Sequence, residues 1–282
     1  MIKKIIKAIG LFTLIGFSFF YTDKVIEVIQ EEDKVMIELQ NVKDTYKVEP
    51  INASITENTM IPGLNGRKIN IDKSYKNMKG NGIFNNRLIA YDTITPEISM
   101  KTNKDKFIIL GNNNKQMISL VFILNNNKNL EKIEEMLENK GATANYFVDY
   151  KYLINHSTKI KELENREFYS YGDNGEYTPD NLLFSSNLIS RISNNNAIFC
   201  LSDNMDNEIL DLCYKNDLYT IVPNIIGGDT PYASVKENLS SGSIILLSMN
   251  NDTIKELPTI LDYIKGKGYK ISGLSKLLTE EL

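Results

Sequence analysis

One histidine, two cysteines and no tryptophan among 282 residues set the limits of what this chain can do chemically. A catalytic metal centre built on two imidazoles is out of reach. His156 with Cys200 and Cys213 gives too few ligands for a structural zinc site. Lying in Leu153-Ile154-Asn155-His156-Ser157, the histidine reads as a surface residue at a polar helix start rather than a lone proton carrier. Cys200 and Cys213 admit two readings: a disulfide between a strand and the following helix, or two buried thiols packed like alanines. Asp173, Asp203 and Asp206 fall in loop sequence, where clustered carboxylates would suit Mg²⁺ or Ca²⁺, although acids at turns and helix starts are ordinary. Tyr169, Tyr171 and Tyr177 lie nearby and offer aromatic faces of the kind that stack on sugar rings. Gly227-Gly228-Asp229 is too short to cradle a phosphate, and no Gly-x-Ser-x-Gly elbow is present. With 32 basic and 36 acidic residues, a formal charge of −4, the chain has no nucleic-acid footprint.

An alternation of strand and helix patterns must position these groups. Met117–Leu124 is a continuous apolar run, as in a strand buried on both faces. In 129–140 the apolar positions Leu130, Ile133, Met136 and Leu137 share one helical face, and Gly141 follows as a cap. Strands are predicted at 143–148, 167–169, 197–201, 218–222, 243–247 and 269–271; helices at 159–165, 181–194, 207–215, 235–238, 254–267 and 273–278. Repeated strand–helix units imply an α/β fold around a mostly parallel sheet. Upstream, turn signals at Pro50, Pro62-Gly63, Asn65-Gly66 and Gly80-Asn81-Gly82 bound short elements. These are a helix at 72–78 capped by Asp72 or Ser74, and strands at 88–91 and 106–110.

The amino terminus carries Lys3, Lys4 and Lys7 ahead of the uncharged stretch Ala8–Thr22. That pattern predicts a single-pass signal anchor with a cytoplasmic N-terminus and the main domain outside the cell membrane. A cleaved signal peptide fits less well, because the bulky exit Phe17-Ser18-Phe19-Phe20-Tyr21 offers no small-x-small site. The expected organisation is therefore residues 1–22 as tail and anchor, 23–47 as stalk, 48–115 as a small accessory region, and 116–282 as the main domain. Within the stalk, Val35–Leu39 fits either a helix or a strand.

Three stretches of the main domain carry a family resemblance. They are Gly141-Ala142-Thr143-Ala144-Asn145-Tyr146-Phe147-Val148, Gly242-Ser243-Ile244-Ile245-Leu246-Leu247, and the closing Leu257-Pro258, Lys267-Gly268-Tyr269 and Leu277-Leu278. In order and spacing this resembles the polysaccharide deacetylase (NodB-homology) family. The resemblance implies a distorted, incomplete (β/α) TIM-like barrel with its site at the carboxyl ends of the strands. It also implies metal-assisted removal of acetyl groups from glycans such as peptidoglycan or chitin, with one Asp and two His on the metal, an Asp base and a late His acid.

The positions that match those motifs hold other residues. Where the family has Thr-Phe-Asp-Asp-Gly, this chain has Val121-Phe122-Ile123-Leu124-Asn125. Tyr171 and Gly175 stand at the His-x-x-x-His pair, Cys200 at the arginine of Arg-x-Pro-Tyr-Gly, and Ser248 at the histidine of Leu-His. Aliphatic side chains neither accept protons nor bind cations, so no zinc, no cofactor and no catalytic residue are expected. The reading that follows is a membrane-anchored pseudoenzyme that binds cell-wall polysaccharide or a cell-envelope protein. Tyr169, Tyr171, Tyr177, Asp173 and Asp203 are its candidate glycan contacts. The alternative is an active deacetylase or esterase with a carboxylate site rebuilt from Asp173, Asp203 and Asp206.

Overall fold

The computed structural model describes residues 13, 15–18, 33–163 and 165–282. Residues 13 and 15–18 are helical and exposed; the rest of the expected anchor lies outside the described residues. No helix among the described residues is long and apolar enough to cross a membrane.

The helices are α1 (Lys34–Val42), α2 (Ile71–Met78), α3 (Leu130–Asn139), α4 (Tyr150–Glu162), α5 (Pro179–Ile192), α6 (Asn207–Lys215), α7 (Pro231–Asn238), α8 (Asn251–Gly266) and α9 (Leu274–Leu278). The first strands are β1 (Ser54–Ile55), β2 (Thr59–Ile61), β3 (Gly66–Ile69), β4 (Tyr91–Ile94), β5 (Phe107–Ile108), β6 (Met117–Leu124) and β7 (Asn145–Val148). They are followed by β8 (Glu167–Ser170), β9 (Phe199–Leu201), β10 (Tyr219–Ile221), β11 (Ile225–Ile226), β12 (Ile244–Leu247) and β13 (Lys270–Ile271). Two compact units result: Met1–Pro50 with Asn65–Thr95, and Ile51–Leu64 with Pro96–Leu282. Residues 51–64 and 96–115 thus pack with the main domain rather than with a separate 48–115 region.

In the smaller unit, Val35–Leu39 is helical: Asp33 caps α1 by accepting from the Val35 N–H at 2.8 Å. This helix is no free stalk. Val35, Met36 and Leu39 pack with Ile69, Tyr75 and Met78 into a core of their own. The cap of α2 is Asn70, not Asp72 or Ser74, because Ser74 instead exchanges hydrogen bonds with Ala90 on the neighbouring segment. β3 and β4 pair antiparallel, with the second strand at 91–94 and only a 3₁₀ turn at 86–88.

In the larger unit one curled, half-barrel sheet runs β1-β2-β5-β10-β9-β8-β7-β6-β12-β11, with β13 also on β6. All pairs are parallel except β1–β2, so the carboxyl ends of β6 through β12 lie along one edge. Alternation along the strands builds two aromatic rows. Phe122, Tyr146 and Phe168 are lateral neighbours with ring centroids 5.8 Å apart, and Tyr146 reaches Glu134 of α3, so this row faces the helices. Phe147, Tyr169, Phe199 and Tyr219 form the other row, with centroids 5.1–5.9 Å apart, and fill the concave face. The glycine of Gly242-Ser243-Ile244 has a steric cause. Its φ is +90°, and a Cβ there would stand 2.1 Å from the Gly111 carbonyl oxygen.

Several boundaries depart from the sequence pattern. Helix α4 begins at Tyr150 rather than 159, since Asp149 caps it by accepting from Tyr152 N–H at 3.0 Å. His156, with φ −134°, breaks its periodicity from inside. The short β11 and the first turn of α7 have too few apolar residues to register as patterns.

Candidate functional site

The groups expected to do chemistry come together, or fail to, at the carboxyl edge of the sheet. β6 delivers Ile123, half-buried against the core, and Leu124, fully buried. Leu124 lies two residues beyond Phe122 and so shares the helix-facing side. Neither side chain has a lone pair to offer a cation or a proton.

The segment after β8 explains what became of the expected histidine pair. Asp173 and Glu176 exchange backbone hydrogen bonds of 2.9 and 3.0 Å, and Asn174 and Gly175 between them have φ of +53° and +86°. Two left-handed residues in Asn-Gly order make a tight turn of the I′ kind. A Cβ on Gly175 would sit 3.1 Å from the Tyr171 hydroxyl, so the tyrosine ring occupies the space a side chain at 175 would need. Tyr171 is buried and donates to Asp203 at 3.4 Å. Burial, and then the Asp203 carboxylate, push its hydroxyl up to about 12, so at neutral pH it can only stay protonated. Ile, Leu, Tyr and Gly at these positions do not fit the family's metal.

The three candidate carboxylates do not assemble. Asp173 pairs with Lys151 at 3.0 Å, Asp206 caps α6 by accepting from Glu208 N–H at 2.9 Å, and Asp203 stands exposed beside Tyr171. Among the described residues no group of three or more His, Cys, Asp or Glu could hold a metal ion. A rebuilt carboxylate site is therefore not formed.

Two of the candidate tyrosines are structural. Tyr169, expected at the mouth, is fully buried in the concave row; its hydroxyl donates at 2.7 Å to Glu167, at the amino end of β8, away from the mouth. Tyr177 pins β8 to β9, which pair only at Ser170 and Cys200. Its hydroxyl accepts from Leu201 N–H at 3.0 Å and lies 2.9 and 3.0 Å from the Ser170 and Leu201 carbonyl oxygens. Burial raises its pKa above the ordinary phenol range. Ser248 is exposed just past β12.

Cys200 and Cys213 are joined in a disulfide and both are buried, which resolves the two readings left open by the sequence. The bond ties the middle of β9, at the position that the resemblance gives to the family's arginine, to α6. Closing a loop of sequence separation 13 should stabilise the fold by about 2–3 kcal/mol. A Cys200→Ala/Cys213→Ala variant is expected to lose that amount in urea denaturation while keeping its circular dichroism spectrum. An unchanged midpoint would show that the bond constrains nothing.

Together with His156 and Asp173, residues that the sequence did not single out line an open feature at this edge. A polar cavity of about 640 Å³ is lined by Asn125, Asn126 and Asn127 after β6, by Asp149, Lys151, Tyr152, Asn155 and His156 around α4, and by Asp173 and Asn174 of the tight turn. His156, expected on the surface, is exposed and lies flat on Tyr152, with centroids 4.5 Å apart and planes 13° from parallel.

No family model matches the chain. The uncharacterized protein YlxY of Bacillus subtilis (strain 168) is 24% identical over 277 residues, spanning 90% of this chain and 86% of the relative. Among solved structures, BA3943 of Bacillus anthracis, a carbohydrate esterase family 4 (CE4) pseudoenzyme, superposes with a TM-score of 0.67 at 22% identity. The match covers 89% of this chain and 96% of that one. Bacillus subtilis PdaA, a family 4 carbohydrate esterase, gives 0.53 at 15% identity over 81% of this chain and 97% of its own. These likenesses show a shared fold. The chain carries the fold of the CE4 (NodB-like) polysaccharide deacetylases, as its motifs foretold.

Proposed function

We propose that the chain is a catalytically inactive, deacetylase-like protein that binds cell-wall polysaccharide outside the cytoplasm and is held at the membrane by residues 1–22. The observation that carries the reading is the fate of the two metal-binding motifs. One ends in the aliphatic pair Ile123 and Leu124; the other has become a tight turn in which Tyr171 fills the space above Gly175. Without a cation, an amide carbonyl would be left unpolarised and its attacking water unactivated. That BA3943 is a pseudoenzyme of the same fold supports the reading. The buried disulfide supports an oxidising compartment, since such bonds persist outside the cytoplasm. The basic cluster Lys3, Lys4 and Lys7 before an apolar stretch supports an anchor with its N-terminus inside.

The test is sedimentation of the purified protein with insoluble peptidoglycan, run beside zinc analysis and acetate release from N-acetylated glycan. Co-sedimentation with neither zinc nor acetate is expected. Stoichiometric zinc, or acetate release abolished by Asp203→Ala, would overturn the reading.

A further inference from the structure

The amide-lined cavity at the ends of β6, β7 and β8 includes none of the family's catalytic positions. Ile123, Leu124, Tyr171, Gly175, Cys200 and Ser248 are all absent from its lining. Its walls are nonetheless built. Asp149, 6% exposed, accepts from Tyr152 N–H with one oxygen and from Asn174 N–H at 2.7 Å with the other. One carboxylate thus fixes both the start of α4 and the tight turn after β8. The Tyr152 hydroxyl bonds to the Asn127 side-chain oxygen, which fixes the loop after β6 to the same point. The kink at His156 lays its ring parallel to Tyr152, leaving an exposed imidazole face on the cavity wall.

The chemistry of the lining selects a ligand class. The side-chain NH₂ groups of Asn125 and Asn127 and both ends of the Asn174 carboxamide make no hydrogen bond among the described residues. Carboxamides offer a donor and an acceptor on one planar group, which complements hydroxyl and amide groups rather than full charges. Asp149 and Asp173 outnumber Lys151, so an anion is disfavoured. A flat ring beside several carboxamides in a cavity of about 640 Å³ suits a sugar ring.

We propose that this cavity binds a neutral sugar ring bearing hydroxyl and amide groups, and does so independently of the lost catalytic centre. The inference rests on the glycan-binding reading above and gives it a site. The ring lies against His156, and the carboxamides of Asn127 and Asn174 hydrogen-bond its edge.

The probe is the β-1,4 tetramer of N-acetylglucosamine, titrated into the full-length protein by calorimetry, with peptidoglycan sedimentation in parallel. Asn174→Gly removes the carboxamide while keeping a residue suited to positive φ, and His156→Ala removes the platform. Each is expected to weaken both forms of binding about three- to tenfold, the worth of a hydrogen bond or a stacking face. Asp203→Ala probes the competing site at the old mouth, and His156→Phe should restore the platform. Thermal midpoints within a degree or two of wild type would separate loss of binding from loss of fold. If Asp203→Ala weakens binding and the rim variants do not, the rim site is overturned while glycan binding stands. If wild type binds neither the tetramer nor peptidoglycan, both readings fall together.

Discussion

Leu124→Asp is expected to unfold the barrel unit at neutral pH, whereas Ile123→Asp should be tolerated. The two substitutions would restore, in name, the acid pair that the family resemblance places here, yet their surroundings differ. Leu124 has no exposure and shares the helix-facing side of β6 with Phe122. Removing a buried leucine side chain costs about 2–5 kcal/mol. Leaving an acid there with no cation or donor opposite adds several more, whether it ionises or raises its pKa to stay neutral. The sum approaches the whole stability of a typical domain, about 5–15 kcal/mol. Ile123 is only partly buried, so a carboxylate at 123 can reach solvent and should cost about 1–2 kcal/mol. Urea denaturation of both variants decides the matter. A stably folded Leu124→Asp protein would mean that the end of β6 is open, and that the site has been emptied rather than filled in. Zinc binding by the double variant would be more damaging still, because Tyr171 and the turn at Gly175 leave it no second and third ligand.

How much of this could be read beforehand follows from the length of each signal. β6 was legible to the residue because seven apolar residues in eight, broken only by Ser119, admit little else in this context. α6 was equally plain, with Asp206 in front and amphipathic spacing behind. Gly242 could be recognised as part of a motif, but the reason it must be glycine, the Gly111 carbonyl beside it, is a contact between segments far apart in sequence. The same limit explains the site. That Ile123 and Leu124 cannot do acid chemistry needs no structure. That Tyr169 points inward and Tyr177 clasps two strands depends on register, which composition near a loop does not reveal. Asp149 shows the difficulty most clearly. Its sequence context is an apolar strand followed by Tyr-Lys-Tyr, and the broken periodicity at His156 hides the helix it caps. With the helix start displaced, Asn125–Asn127, His156 and Asn174 had no reason to be considered together. The Asn174-Gly175 pair did carry a local signal, since that dipeptide favours an I′ turn wherever strands flank it.

Away from the mouth, Arg166→Ala is expected to be among the most destabilising single substitutions outside the hydrophobic core. Arg166 Nε lies 2.9 Å, and its terminal nitrogen 2.8 Å, from Glu134 Oε2, and Glu134 is only 8% exposed. The Tyr146 hydroxyl donates to the other carboxylate oxygen, and burial followed by the Glu134 charge holds that phenol well above its ordinary pKa. Deleting the guanidinium strands a carboxylate in a nearly dry interface, a loss of about 3–5 kcal/mol. The pair itself need not stabilise the fold on balance, because both charges were desolvated to form it. It follows that removing all three polar partners at once, as Glu134→Leu/Arg166→Met/Tyr146→Phe, should recover most of what Arg166→Ala loses. Denaturation of the single and triple variants distinguishes a costly orphan charge from a favourable ion pair. Equal losses in both would assign the stability to the pair itself. Because Glu134 is on α3 and Arg166 precedes β8 at its amino end, the triple variant should bind glycan as wild type does. A loss of binding without a loss of stability would instead couple this network to the opposite edge of the sheet.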